Sequence, residues 1–239
     1  MNNFKTLREQ AFEANLEVPR QGLAIYTFGN VSAFDNASGV FAIKPSGVSY
    51  NTLTVDCMVV VDLEGNTVWG KLRPSSDMET HRVLYQTFTG IGGITHTHST
   101  FATAWAQAGC NVPVLGTTHS DHSAEEIPCT AFLGEAAVKG DYERETGNLI
   151  AETFKGLGKN PSHLQMILVA GHGPFTWGID AAQSVYHAAA LEEICKMAFL
   201  TLQINPETSS LPVYIINKHH ERKHGSKAYY GQETVKKII

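Results

Sequence analysis

The apolar runs of this 239-residue chain are no longer than a single strand, as Met58-Val59-Val60-Val61 illustrates. A segment that spans a bilayer needs about 18–20 apolar residues, so no membrane-spanning segment is expected. Strand-like runs and helical patterns follow one another irregularly, without the strict rhythm of βαβ units. These features predict a single α/β domain over residues 1–239, in which helices cover a largely antiparallel sheet.

Periodicity predicts where the individual elements lie. Apolar residues spaced by three and four positions predict amphipathic helices, and short apolar or β-branched runs predict strands. The expected helices cover residues 4–16, a segment that Asp77 introduces, an Ala-rich segment that Ser99 or Thr100 caps and Gly109 ends, and residues 146–157, 180–203 and 215–224. The expected strands cover residues 23–28, 40–43, 57–61, 67–69, 92–98, 166–170 and 175–178.

The charge balance argues against a nucleic-acid partner. Lys and Arg number 18 and Asp and Glu number 23, which gives a formal net charge of -5. A nucleic-acid binder needs an excess of cationic side chains to displace counterions from phosphates. The N-terminus lacks the hydrophobic block of a secretory signal, and the four cysteines have no paired spacing. We therefore expect a cytoplasmic protein with reduced cysteines.

The segment Ile94-Thr95-His96-Thr97-His98 carries the strongest local signal for chemistry among the eleven histidines. Side chains of a strand alternate between its faces, so His96 and His98 share a face. Their imidazoles lie about 7 Å apart along a straight strand and converge on one ion where the strand bends. The alternative is that these histidines are structural. The pair predicts two ligands of a divalent metal.

Further ligands come from distant segments. His172 ends an apolar strand and lies between Gly171 and Gly173, which permit a close approach by neighbouring groups. Asp77 follows two serines and is the candidate fourth ligand. The alternatives are a tight turn at His172 and a helix cap at Asp77. Three imidazoles and one carboxylate suit Zn²⁺, although Mn²⁺, Co²⁺ or Ni²⁺ fit the same set.

Three short segments have the chemistry of an anion-binding site. Lys44-Pro45-Ser46-Gly47 combines a cation, a hydroxyl and an accessible backbone N–H group. Pro74-Ser75-Ser76-Asp77 places two hydroxyls at the expected start of a helix, where free N–H groups favour anions. Gly29-Asn30-Val31-Ser32 is predicted to be a further polar turn. Each is also compatible with an ordinary turn. The chain has neither a P-loop nor the Gly-x-Ser-x-Gly motif of serine hydrolases.

Taken together, these motifs resemble the class II aldolase/epimerase superfamily, and within it the branch that epimerises sugar phosphates at C4. The resemblance covers nearly the whole chain, and its motifs occur in the order expected for the superfamily. The segments that carry it are Gly29-Asn30-Val31-Ser32-Ala33, Ile43-Lys44-Pro45-Ser46-Gly47-Val48, Pro74-Ser75-Ser76-Asp77, His96-Thr97-His98-Ser99, Gly116-Thr117-Thr118-His119, Gly171-His172-Gly173-Pro174-Phe175, Arg222-Lys223-His224-Gly225 and Ala228-Tyr229-Tyr230-Gly231-Gln232.

The resemblance implies a three-layer α/β/α fold and a cyclic homotetramer with active sites between neighbouring subunits. It assigns the zinc ligands to Asp77, His96, His98 and His172. It assigns the phosphate contacts to Asn30, Lys44, Ser46, Gly47, Ser75 and Ser76. It assigns the acid/base pair to Asp121 and to Tyr230 of the adjacent subunit, with His219 and Glu143 in support.

Two features of this chain depart from the superfamily pattern. Residues 233–239 extend beyond the position at which the superfamily is expected to end. His122 stands where a tyrosine is expected after Asp121, so His122 is a competing candidate for proton transfer. On residue patterns alone, Asp121 and Tyr230 are also compatible with an exposed loop acid and an ordered aromatic residue.

The activity implied is the interconversion of L-ribulose 5-phosphate and D-xylulose 5-phosphate. The C4 hydrogen is not adjacent to the carbonyl, so the expected route breaks and re-forms the C3–C4 bond by retro-aldol and aldol steps. One alternative is a class II aldolase that releases the fragments. Another is a metal-free interaction module on the same scaffold, which is expected to lack the His and Asp ligands.

Overall fold

A computed structural model describes residues 4–224, and these residues form one seven-stranded sheet. The strand order is β4-β3-β2-β1-β5-β7-β6, and every pair of neighbouring strands is antiparallel. This arrangement confirms the predicted antiparallel sheet. The strands are β1 (Asn30–Asp35), β2 (Val40–Ile43), β3 (Val59–Asp62), β4 (Thr67–Trp69), β5 (Gly93–His96), β6 (Met166–Val169) and β7 (Gly173–Gly178).

Helices cover both faces of the sheet and produce three layers. The helices are α1 (Lys5–Arg20), α2 (Met78–Thr87), α3 (Thr100–Ala108), α4 (Thr117–Ser120), α5 (Glu135–Lys139), α6 (Tyr142–Gly156), α7 (Ala181–Ile204) and α8 (Val213–His224). Side-chain alternation along β2 shows the layering, because Val40 and Ala42 pack with α1 and α7. Phe41 and Ile43 face the other way, into the core with α2 and α6. The helices at 117–120 and 135–139 were not predicted.

Two expectations near the N-terminus are wrong. Residues 23–28 form turns and irregular backbone instead of a strand, and Tyr26 has a φ of 54°, which no strand accommodates. The expected polar turn after Gly29 is also wrong, because Asn30 begins β1. That strand lies between β2 and β5 in the sheet, so its polar side chains Asn30 and Ser32 are buried.

Helix α3, which follows His96 and His98, is not capped by the residue that was predicted to cap it. Ser99 occupies the N-cap position of α3, but its side chain makes no capping hydrogen bond. Instead, Glu192 of α7 accepts hydrogen bonds from the backbone N–H groups of Phe101 (2.8 Å) and Ala102 (2.9 Å). Helix α7 begins next to Asp180, where it was expected to start, and Asp180 caps it, since its Oδ1 accepts from the Gln183 N–H at 2.7 Å. A carboxylate from α7 therefore fixes the helix that follows His98.

Replacing Glu192 with alanine is expected to lower the free energy of unfolding by about 1–3 kcal/mol, because two buried N–H groups lose a charged acceptor. Denaturant unfolding of the purified protein measures this change. Glu193→Ala is the matched control, since Glu193 is exposed on the same helix, and its effect is expected to stay within about 0.5 kcal/mol. Equal stability of the two variants would contradict the capping role of Glu192.

Within residues 4–224, no helix combines the length and the apolar character that crossing a bilayer requires.

Candidate active site

Three histidines converge at one end of the sheet. His96 is the last residue of β5, His98 follows it, and His172 lies in the turn that joins β6 to β7. One ligand nitrogen from each imidazole lies within 4.8 Å of the others. The turn approaches the end of β5 closely: a Cβ atom on Gly173 would lie 2.8 Å from the Thr97 carbonyl oxygen. The predicted convergence of these three side chains is therefore present, although β5 ends two residues earlier than expected.

The ring nitrogens of this cluster suit a cation. His96 Nδ1 lies 2.9 Å from the Pro174 carbonyl oxygen, which leaves Nε2 as the ligand atom. The His96 ring also stacks on Phe175, with centroids 4.2 Å apart. Among residues 4–224, the buried His96 Nε2 and His172 Nδ1 have no hydrogen-bond partner. Burial and the neighbouring His96 lower the pKa of His172 to about 3, so its imidazole is neutral. Buried imidazole nitrogens without a hydrogen-bond partner fit a divalent metal.

Asp77 lies beside this cluster and does not cap its helix. It precedes α2, yet its side chain makes no capping hydrogen bond. Its Oδ2 accepts a hydrogen bond from Asn30 Nδ2 at 2.6 Å. Burial raises the pKa of Asp77, but the neighbouring imidazoles of His96 and His81 and the Asn30 hydrogen bond outweigh burial, so its pKa is lowered. The carboxylate is therefore an anion that lines the same cavity as the three histidines.

The loops predicted to bind phosphate line this cavity too. It has a volume of about 420 Å³. The two main loops are joined to each other, because the Ser46 N–H donates to Arg73 O at 3.0 Å and the Ser75 N–H donates to Lys44 O at 2.9 Å. All predicted ligand and phosphate residues belong to its lining: Asn30, Lys44, Ser46, Gly47, Ser75, Ser76, Asp77, His96, His98 and His172.

Lys44 provides the cationic group of the cavity. Its side chain is almost fully buried, and Nζ donates to the Thr27 carbonyl oxygen at 3.3 Å. Nζ also lies 5.0 Å from the centroid of the Tyr50 ring. Burial lowers the pKa of Lys44 to about 8. Neither of these contacts supplies a carboxylate to the buried ammonium group of Lys44, so this group attracts a small anion.

Asp121 and His219 lie together, outside the lining of this cavity. Asp121 accepts hydrogen bonds from Arg222 Nη2 at 2.6 Å and Arg222 Nε at 3.1 Å, and its Oδ1 lies 3.1 Å from His219 Nδ1. Burial raises the pKa of Asp121, but these contacts and Lys223 outweigh burial and lower its pKa. Glu143 does line the cavity. Tyr230 lies outside the described residues, and the competing candidate His122 packs against Tyr186 at a centroid distance of 5.5 Å.

Some residues that line the cavity were not predicted from the sequence. Tyr142 begins α6 beside Glu143, and its ring centroid lies 6.0 Å from that of His172. Thr27 and Phe28 reach the cavity from the segment that was wrongly predicted to be a strand. The one local sequence signal for Tyr142 is its position directly before Glu143, which was predicted to support the site.

Known proteins provide an independent comparison. Residues 9–199 match the family model of the class II aldolase and adducin N-terminal domain. The chain is 52% identical to the L-ribulose-5-phosphate 4-epimerase UlaF of Salmonella paratyphi B over 227 residues, which cover 95% of this chain and 99% of that protein. The UlaF protein of Salmonella typhi is also 52% identical over 227 residues, with the same coverage of both chains.

Solved structures agree on the fold. An L-fuculose 1-phosphate aldolase superposes with a TM-score of 0.76 at 22% identity, covering 91% of this chain and 95% of that chain. YgbL of Klebsiella pneumoniae, described as a putative aldolase/epimerase/decarboxylase, gives a TM-score of 0.71 at 22% identity over 92% of this chain and 100% of its own. Since the family model matches well over half of the chain, the chain belongs to the class II aldolase and adducin N-terminal domain family.

Proposed function

We propose that this protein is a divalent-metal-dependent epimerase that interconverts L-ribulose 5-phosphate and D-xylulose 5-phosphate. One observation carries the proposal: a single cavity contains three imidazoles with converging nitrogens, an ionised carboxylate, a buried lysine and small polar loops. The relatives at 52% identity over nearly the full chain are named as L-ribulose-5-phosphate 4-epimerases.

The reaction needs groups that act at opposite ends of a ketopentose phosphate. Inversion at C4 requires C3–C4 cleavage, rotation of the aldehyde fragment and re-formation of the bond on its other face. We assign His96, His98, His172 and Asp77 to a cation, with Zn²⁺ as the proposed metal. Such a cation supplies Lewis-acid stabilisation of the negative charge that develops on the ketone fragment.

The phosphate loops keep the cleaved aldehyde in place. Lys44 supplies the positive charge, and Ser46, Ser75 and Ser76 supply hydroxyl donors on the same cavity wall. Asn30 is held by Asp77 and therefore connects the phosphate end of the cavity to the metal end. A fragment anchored at its phosphate turns without escaping, which is a positioning contribution to catalysis.

Two proton carriers complete the proposal, one for the C4 oxygen of each epimer. We assign these roles to Asp121 and Tyr230, supported by His219 and Glu143. Asp121 lies outside the lining of its own chain's cavity, which favours active sites at subunit interfaces in a cyclic homotetramer. The four free cysteines suit the cytoplasm, where thiols stay reduced.

The test is an assay in which purified protein is incubated with L-ribulose 5-phosphate and a divalent metal and the products are identified. We expect D-xylulose 5-phosphate to form without accumulation of glycolaldehyde phosphate. Stoichiometric release of that aldehyde would contradict the epimerase proposal in favour of an aldolase. Absence of bound metal, with no reaction after Zn²⁺ or Mn²⁺ is added, would favour a metal-free interaction module instead.

The pKa of Lys44 predicts how substrate binding depends on pH. Below pH 8 the amine is charged and attracts the phosphate, and above pH 8 it is neutral. The KM for L-ribulose 5-phosphate is therefore expected to rise by up to about tenfold per pH unit above pH 8. Lys44→Arg keeps its charge through this range, so its KM is expected to lack this rise. A wild-type KM that stays constant to pH 9.5 would exclude Lys44 as the phosphate cation.

A further inference from the structure

The carboxylate of Asp121 is held by an arginine of the last described helix. Asp121 directly follows α4, and Arg222 lies near the end of α8. Arg222 Nε donates to Oδ1 of Asp121 at 3.1 Å, and Arg222 Nη2 donates to Oδ2 at 2.6 Å. The two groups therefore meet as a fork, in which one planar guanidinium group binds both oxygens of one carboxylate.

The other contacts between Asp121 and α8 are of a different kind. His219 Nδ1 lies 3.1 Å from Oδ1, and His224 Nε2 lies 2.9 Å from the backbone carbonyl oxygen. Lys223 Nζ is 3.7 Å from Oδ2, which is too long for a hydrogen bond. Among the hydrogen bonds described within residues 4–224, those of Arg222 are the ones that reach both carboxylate oxygens.

A proton carrier requires a fixed orientation. A hydrogen bond to one oxygen leaves a carboxylate free to turn about its Cβ–Cγ bond, whereas two parallel bonds to a guanidinium group fix its plane. General acid/base catalysis needs the carrier oxygen within hydrogen-bond reach of the substrate oxygen. A misplacement of about 1 Å costs up to about 100-fold in rate. The fork therefore supplies the orientation that the role assigned to Asp121 requires.

The fork also affects the charge of Asp121. Burial raises the pKa of this carboxyl group, but the hydrogen bonds from Arg222 and His219 and the charge of Lys223 outweigh burial and lower the pKa. Asp121 is therefore ionised at neutral pH. An ionised carboxylate is the form that accepts a proton from a C4 hydroxyl group.

Attachment of the helix is the alternative explanation of this contact. Ile216 is the one buried residue of Val213–His224, so polar contacts contribute to holding α8 against the rest of the chain. Loss of Arg222 is therefore expected to loosen α8 to some extent. A test has to separate the orientation of Asp121 from the attachment of the helix.

We propose that Arg222 is a positioning residue for Asp121, in which the guanidinium group fixes the plane of the carboxylate for proton transfer. This role rests on the acid/base role of Asp121 in the proposed function. Arg222 acts through the carboxylate and needs no contact with the substrate.

A double-mutant cycle on kcat tests this role. Arg222→Ala is expected to lower kcat by about 10–100-fold, whereas KM and zinc content stay close to the wild-type values. Because Arg222 acts through Asp121, the double variant Asp121→Asn/Arg222→Ala is expected to have the kcat of Asp121→Asn alone. Losses that multiply in the double variant would overturn the proposal.

Arg222→Lys separates orientation from charge. Lysine keeps the positive charge but lacks the planar fork, so kcat is expected to stay about tenfold or more below the wild-type value. Full activity in Arg222→Lys would overturn the proposal. If Arg222→Ala does not fold, Arg222→Lys takes its place in the cycle with Asp121→Asn.

Ile216→Val is the matched control for attachment of the helix. It weakens the apolar contact of α8 by about 0.5–1.5 kcal/mol and leaves the fork in place. Denaturant unfolding measures its stability beside that of Arg222→Ala, and its kcat is expected to match the wild type. A loss of kcat equal to that of Arg222→Ala would assign the effect to a loosened helix and overturn the proposal.

Kinetics of the wild type and of Asp121→Asn separate this role from the proposed function. Wild-type protein that forms no D-xylulose 5-phosphate refutes the proposed function and the role of Arg222 with it. Wild-type kcat in Asp121→Asn refutes the roles of both residues. Loss of activity in Asp121→Asn, with wild-type kcat in both Arg222 variants, refutes the role of Arg222 alone.

Discussion

Replacing Asp121 with asparagine is expected to lower kcat by about 10²–10⁴-fold, the usual cost of losing a positioned acid/base group. Asparagine keeps the size of the side chain and one oxygen acceptor for Arg222 and His219. Metal content and KM are therefore expected to stay close to the wild-type values. Steady-state kinetics together with metal analysis check both parts of this result.

Asp56→Asn is the matched control, since its side chain is 91% exposed and pairs only with a structural arginine, Arg8, in the described ion pairs. This substitution is expected to keep kcat within about twofold of the wild-type value, because substitutions on the surface, away from the active site, have small effects. An unchanged kcat in Asp121→Asn would remove Asp121 from the mechanism. Mixed assembly adds a sharper test: inactive Asp121→Asn and His98→Ala subunits are expected to regain partial activity together if Asp121 acts in the cavity of a neighbouring subunit.

Removing one imidazole of the histidine cluster is expected to have the second large effect. His98→Ala is expected to lower zinc affinity by more than 100-fold and activity by about 10³-fold or more, because several kcal/mol of charge stabilisation depend on the cation. His98 is exposed, so the substitution is not expected to unfold the protein. Zinc titration and the epimerase assay on the same preparation measure the two effects.

The control for this variant is His163→Ala, which also removes an exposed imidazole but one that does not line the cavity. Its zinc affinity and activity are expected to match the wild type. If His98→Ala behaves like His163→Ala, His98 is not a ligand. Chelation of the wild-type protein is expected to abolish activity, and added Zn²⁺ is expected to restore it.

The histidine cluster was predictable because its signal is local. His96 and His98 alternate with a threonine at the end of a strand, and strand geometry alone places both on one face. His172 needed only the observation that an apolar strand ends between glycines. Asp77 was a candidate ligand from its sequence, but a helix cap remained an equal alternative until the family resemblance assigned it to the metal. Asp121 was assigned by the resemblance alone, because its spacing does not distinguish it from a loop acid.

Contacts between distant segments were not predictable in this way. Glu192 caps a helix that begins 92 residues earlier in the chain, and Ser32 contacts His81 across 49 residues. Strand β1 was not predicted, because its sequence contains polar residues. Those side chains are buried because the strand lies in the interior of the sheet. The short apolar run at residues 23–28 resembled a strand, yet these residues lie outside the sheet.

The central claim is that three imidazoles and one carboxylate hold a single divalent cation. X-ray absorption at the metal edge of zinc-loaded protein tests it directly, because sulfur ligands lie farther from zinc than nitrogen or oxygen ligands and imidazole rings add scattering from their outer ring atoms. The account predicts three imidazole nitrogens and a carboxylate oxygen at about 2.0–2.2 Å, with His98→Ala losing one nitrogen. A shell that contains sulfur at about 2.3 Å, or fewer than three imidazoles in the wild type, would contradict it.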